Sequence, residues 1–136
     1  MLLPHAVEMV RRHPGMYLRR IDFDVAVAFV QGFDAATSGG LLVGFREWLV
    51  LRLNDGHNLS WPELLLRIHQ SARPSTPSAS VEETRVSFLF STLEEFVAER
   101  ERPAGTRSIF VRYDDWLRGQ DWYGPDSPDW LPRSKE

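Results

Sequence analysis

Apolar residues recur along most of the chain at the three- and four-residue spacing of helices that bury one face. Leu3, Val7 and Val10 share such a face in a first helix over 4–12. Pro4 suits its first turn, and Arg11, Arg12 and His13 complement the dipole at its end. Pro14-Gly15 stops it. Asp22 and Asp24 offer caps for a second helix over 24–37. Its stripe is Val25, Phe29, Phe33 and Ala36, with Ala28 and Gly32 as small residues for a close neighbour. The segment 41–54 is apolar nearly all round, from Leu41 and Leu42 through Phe45, Trp48, Leu49, Val50, Leu51 and Leu53. A helix of that kind belongs in the middle of a bundle.

Asn54-Asp55-Gly56-His57-Asn58 is a turn signal. Ser60 then caps a fourth helix with Pro62 in its first turn, running through Leu64, Leu65 and Ile68. Residues 71–80 are rich in Ser and Pro and read as a mobile loop. Ser80-Val81-Glu82-Glu83 forms a capping box for the longest helix, over 81–101. Val86, Leu89, Leu93, Phe96 and Val97 lie on one arc of it, with Ser87, Ser91, Glu94 and Glu95 opposite. Phe90 sits at the edge of that arc and Phe88 points away from it, which suggests a second contact surface.

Residues 106–119 admit a short strand at Ser108-Ile109-Phe110-Val111. Helix is favoured, because Ile109, Tyr113, Trp116 and Leu117 fall at i, i+4, i+7 and i+8. No segment sustains the two-residue alternation of a sheet. The expected fold is all-α, a five- or six-helix single-domain bundle over residues 1–120, packed around the third helix. An irregular aromatic arm over 121–136 completes it.

Composition supports one core of ordinary size: 136 residues, 43% hydrophobic and 12% aromatic, with five Trp and eight Phe. Cysteine is absent, which removes disulfides, thiolate metal sites and cysteine nucleophiles together. Met1-Leu2-Leu3-Pro4 reaches Glu8 without a long apolar run, so no signal peptide is expected. No membrane span is expected either, and the expected location is cytoplasmic. Net charge is −3, unevenly spread: residues 1–81 carry 8 basic and 7 acidic side chains, residues 82–136 carry 8 and 12. Only Arg11, Arg12, Arg19 and Arg20 form a local basic group, less than the concentrated positive face that nucleic acid wants.

Candidate chemistry is sparse. His5, His13, His57 and His69 make no paired ligand pattern, so no metal is expected. Glu94-Glu95 and Asp114-Asp115 are adjacent on their helices and point about 100° apart, which suits a solvated acidic face rather than a shared proton. Ser60 and Ser80 read as caps. No phosphate-binding glycine loop or nucleophile elbow occurs, and neither a catalytic residue nor a cofactor is assigned. Arg52 lies among Phe45, Trp48 and Leu49 on the helical wheel. Its guanidinium must snorkel out, or pair with a carboxylate and stack on a ring.

Two stretches carry resemblances. Arg11-Arg12-His13-Pro14-Gly15-Met16-Tyr17-Leu18 resembles the Arg-x-Arg-Pro-Gly-Met-Tyr-Ile-Gly segment of type II topoisomerase ATPase subunits. The Asn-bearing helix and glycine-rich lid of that family are missing, and Arg19 stands where it has Gly. The shared string reads as a helix stop and turn, with Met16 and Tyr17 anchoring the loop. More broadly, the Pro-Gly-Met-Tyr-Leu turn, Gly44-Phe45-Arg46-Glu47-Trp48-Leu49 and Asn58-Leu59-Ser60-Trp61 resemble small bacterial proteins in the style of immunity proteins of polymorphic toxin systems. That resemblance implies a protein-binding module that inhibits by occlusion, and an acidic chain suits a basic toxin domain as partner. The expected contact residues are Glu94, Glu95, Asp114, Asp115, Trp122, Tyr123 and Trp130. The alternatives are a DNA-associated regulatory helical protein, and a small ligand-binding domain or enzyme without a recognisable motif.

Overall fold

The computed structural model describes residues 2–72 and 80–133. Among these the chain is all-helical: α1 His5–Arg12, α2 Pro14–Tyr17, α3 Phe23–Ala36, α4 Phe45–Leu53, α5 Trp61–Ala72, α6 Val81–Arg100 and α7 Gly105–Arg118. Seven helices replace the expected five or six. The addition is α2, where the sequence suggested only a stop and a turn. Pro14 begins a new helical turn as readily as it ends the old one, and Leu18 N–H closes it on the Pro14 carbonyl at 2.8 Å. Met16 and Tyr17 do not anchor this corner, since Met16 is 76% exposed; Leu18 is the buried residue.

Asp22 caps α3, accepting from Val25 N–H at 3.1 Å. Glu82 accepts from Phe23 N–H at 2.7 Å and ties that end to the start of α6. The buried face of α3 is Phe23, Ala26, Val27 and Val30. It is rotated from the expected stripe, whose Phe29 and Phe33 pack at the core edge while Ala36 is exposed. Ala28 and Gly32 are also exposed and receive no neighbouring helix among the described residues.

Residues 41–44 are turn rather than the first turn of α4. Gly44 at φ +86° breaks the helical run. Leu42 N–H donates to Asp34 at 2.9 Å, and the Leu41 carbonyl accepts from Arg100 at 2.5 Å. These bonds occupy backbone groups that a longer helix would have used itself. At the other end of α4, Asn54 takes the left-handed conformation, and its side-chain oxygen accepts from Trp116 Nε1 at 2.7 Å.

Ser80 caps α6, accepting from Glu83 N–H at 3.1 Å. All five residues of the predicted arc on α6 are buried, joined by Phe90 and Thr92. The chain to either side of the Ser/Pro-rich stretch is helical, since α5 includes Ser71 and Ala72; residues 73–79 of the expected loop lie outside the described residues. In α7, Ile109 and Leu117 are buried.

One cluster of buried residues draws on α1 and on α3 through α7. α4 packs on α5, α6 and α7, and α6 on α3, α4, α5 and α7, so α6 shares the central position expected of α4 alone. Where they cross, Phe45 and Phe96 rings stand 5.0 Å apart, with Trp48 5.6 Å from Phe96 and Trp61 5.6 Å from Phe45.

The N-terminal helix carries a buried acid. Glu8 has a side chain only 6% exposed, gripped by Arg11 and by Arg12 at 2.9 Å. The Arg11 hydrogen bond, opposed by burial and helped by Arg12, holds the carboxyl down at about 2, against an ordinary 4.5. A carboxyl lowered on folding stabilises above its unfolded pKa, and that contribution fades as pH falls from about 4.5 toward 2. Urea midpoints of the parent should therefore fall more steeply across that window than those of Glu8→Gln. Parallel acid limbs would show that the grip on Glu8 adds nothing.

Candidate interaction surface

The four acids expected to face a partner are each held by an arginine of the chain. Glu94 on α6 lies 3.8 Å from Arg11 of α1. Glu95 pairs with Arg52 at the end of α4 at 2.6 Å, and the Arg52 guanidinium lies 4.4 Å from the Trp48 ring centre. Arg52 thus pairs, stacks and reaches solvent at once, because it sits in the last turn of its helix. Asp114 takes Arg118, one helical turn on, at 3.0 Å and Arg133 at 3.3 Å. The Arg118 hydrogen bond is the main reason its carboxyl sits below the ordinary range, with burial opposing. Asp115 also holds Arg133. These acids pair with four different arginines and form no common free patch among the described residues.

The aromatic arm is built differently. Residues 119–133 contain no helix and fold into successive turns. Ser127 Oγ donates to the Trp122 carbonyl at 2.8 Å and accepts from Gly124 N–H at 3.0 Å. The Tyr123 hydroxyl donates to the Asp129 carbonyl at 3.2 Å and accepts from Leu131 N–H at 3.1 Å. Arg118 fastens the knot to α7 through the Leu131 carbonyl at 2.6 Å. Trp122 stacks on His57 of the α4–α5 loop at 3.9 Å and meets Trp116 edge-on at 6.2 Å. It still leaves 45% of its surface exposed. Trp130 is half-buried.

Asp121, Asp126 and Asp129 belong to this same short knot, and their carboxylates make no ion pair or hydrogen bond among the described residues. Leu131, 70% exposed, lies beside them in the chain. The surface thus combines three carboxylates, unpaired among the described residues, with an exposed indole on a hydrogen-bonded frame. Of the residues expected from sequence, it brings together Trp122, Tyr123 and Trp130, and leaves out Glu94, Glu95, Asp114 and Asp115. Asp121, Asp126 and Asp129 are not among the expected contact residues; they lie in the segment read only as an irregular aromatic arm.

Elsewhere, His69 is buried against Phe88 at 4.8 Å, which gives the outlying aromatic of α6 its contact. Burial, and then the charge of Arg85, push the His69 pKa down. The signal was present: His69 follows Leu65 by four residues and shares its face. Among the described residues no three His, Asp or Glu side chains are placed to hold a metal ion, and no helix is long and apolar enough to cross a membrane. Comparison with protein-family models, with curated proteins and with solved structures finds no match for this chain.

Proposed function

We propose that the chain is a protein-binding module of the inhibitory, immunity type, and that it docks a basic partner through the 121–131 knot. The observation that carries this reading is the set of Asp121, Asp126 and Asp129, unpaired among the described residues, beside exposed Trp122. Carboxylates free of internal partners attract a cationic surface at a distance and speed encounter. A half-exposed Trp already fixed on His57 has little side-chain freedom left to lose, so it suits the role of anchor. Occlusion needs no catalytic group, and none is assigned.

The test begins with capture of the native partner, followed by kinetics on a biosensor across a salt series. Changing Asp121, Asp126 and Asp129 together to Asn should cut the on-rate about tenfold at low salt and flatten its salt dependence. Trp122→Ala should raise the off-rate about thirtyfold, equivalent to about 2 kcal/mol, with little loss of melting temperature. A partner that is acidic, or variants that bind as the parent does, would remove the proposal.

A second reading rests on the opposite charge. Arg19 and Arg20 make no ion pair among the described residues and flank the exposed Met16 and Tyr17. That corner favours a polyanion. Salt-dependent binding of a DNA duplex, lost in the Arg19→Ala, Arg20→Ala double variant, would favour it over the inhibitor.

A further inference from the structure

A cleft of about 420 Å³ opens between the N-terminal segment, the end of α3 and the last turns of α6. Leu3, Phe33, Leu41 and Val97 give it apolar walls, and the Arg100 side chain, only 9% exposed, lines it too. One nitrogen of that guanidinium is committed: Nη1 donates to the Leu41 and Val43 carbonyls at 2.5 and 3.3 Å. The Phe96 ring centre lies 4.9 Å away. Nε and Nη2 make no hydrogen bond among the described residues. Nη2 does form an ion pair with Glu101, at 3.7 Å too long for a hydrogen bond, and Glu101 is itself 64% exposed. A guanidinium has five N–H donors, and its Nε–Nη2 edge matches the two oxygens of one carboxylate.

We propose that this cleft binds an aliphatic monocarboxylate of medium chain length, its head on the Nε–Nη2 edge of Arg100 and its tail along Leu3, Phe33, Leu41 and Val97. The volume lies within the range of small-molecule sites, which pair apolar walls with a few placed polar groups. A monocarboxylate would displace the exposed Glu101 from Nη2 and hydrogen-bond where Glu101 stands too far off; a phosphate dianion would lack a second cation. The site is separate from the arm and does not depend on the inhibitor reading.

Sodium octanoate is the probe, titrated calorimetrically into the full chain, with 1-octanol as the uncharged match of its tail. Octanoate should bind saturably and at least about tenfold tighter than octanol, the difference a charge-assisted contact makes. Gly40 also lines the cleft, and a Cβ added there meets nothing nearer than the Thr37 carbonyl at 3.7 Å. Gly40→Leu should therefore fill the cleft and weaken octanoate at least about tenfold. In the parent chain, nuclear Overhauser contacts should join the octanoate tail to the Leu41 and Val97 methyls, a readout that does not depend on the variant folding. Absence of binding at concentrations on the order of millimolar, equal affinity for octanol, or tail contacts elsewhere would each overturn the assignment.

Discussion

Replacing Gly105 with alanine is expected to destabilise the protein by about 3–5 kcal/mol, among the largest effects of a single methyl group. Gly105 opens α7 directly after the turn that leaves α6. A Cβ there would stand 2.2 Å from the Arg100 carbonyl oxygen and 2.6 Å from that of Glu99. Both obstacles are main chain, so no rotamer change relieves them. The α6–α7 corner would have to open, and Ile109, fully buried one turn further on, would be drawn from the core. Thermal unfolding should fall by more than about 10 °C. Gly32→Ala supplies the contrast: it lies within exposed helix with nothing within 4 Å of an added Cβ, and should stabilise by about 0.5–1 kcal/mol. Equal and small effects at the two sites would refute the steric account.

Phe96→Ala should cost about 3–5 kcal/mol, the usual range for a buried Phe. Its ring has no solvent exposure and lies against Phe45 and Trp48. Removing it opens a void where α4 crosses α6 and strips the Arg100 guanidinium of its aromatic support. The denaturant midpoint should drop with the slope unchanged, and the emission of Trp48 should shift. A loss below about 1.5 kcal/mol would mean that the crossing collapses to fill the void.

Helical class was legible because periodic burial repeats over long stretches: Val86, Leu89, Leu93, Phe96 and Val97 needed only the 3.6-residue turn to be placed together. The start of α4 was not legible. Leu41 and Leu42 are as apolar as the helix that follows, and the positive φ of Gly44, the Leu42 N–H bond to Asp34 and the bond Leu41 accepts from Arg100 make them a turn. On α3, apolar residues spread over too wide an arc for the wheel to choose between Phe29 and Phe33 on one side and Ala26 and Val30 on the other; the packing of α6 decides. The internal pairing of the acids was illegible for a different reason. Arg118 lies four residues after Asp114, a spacing that local geometry reads as a pair. Arg52 and Glu95 are 43 residues apart, and no local rule brings them together. Charge composition shows an acidic half of the chain, while which of its carboxylates are paired among the described residues depends on tertiary contacts.

The central place of α6 also bears on how the chain is made. Ribosomal synthesis delivers α3 and α4 well before α6, yet α6 packs on both. Until residues near Val97 emerge, Val30, Phe45 and Trp48 lack their native cover, a condition that favours association between nascent chains. A ribosome stalled before that point would display a sticky intermediate, and release of about one further helix would let it close.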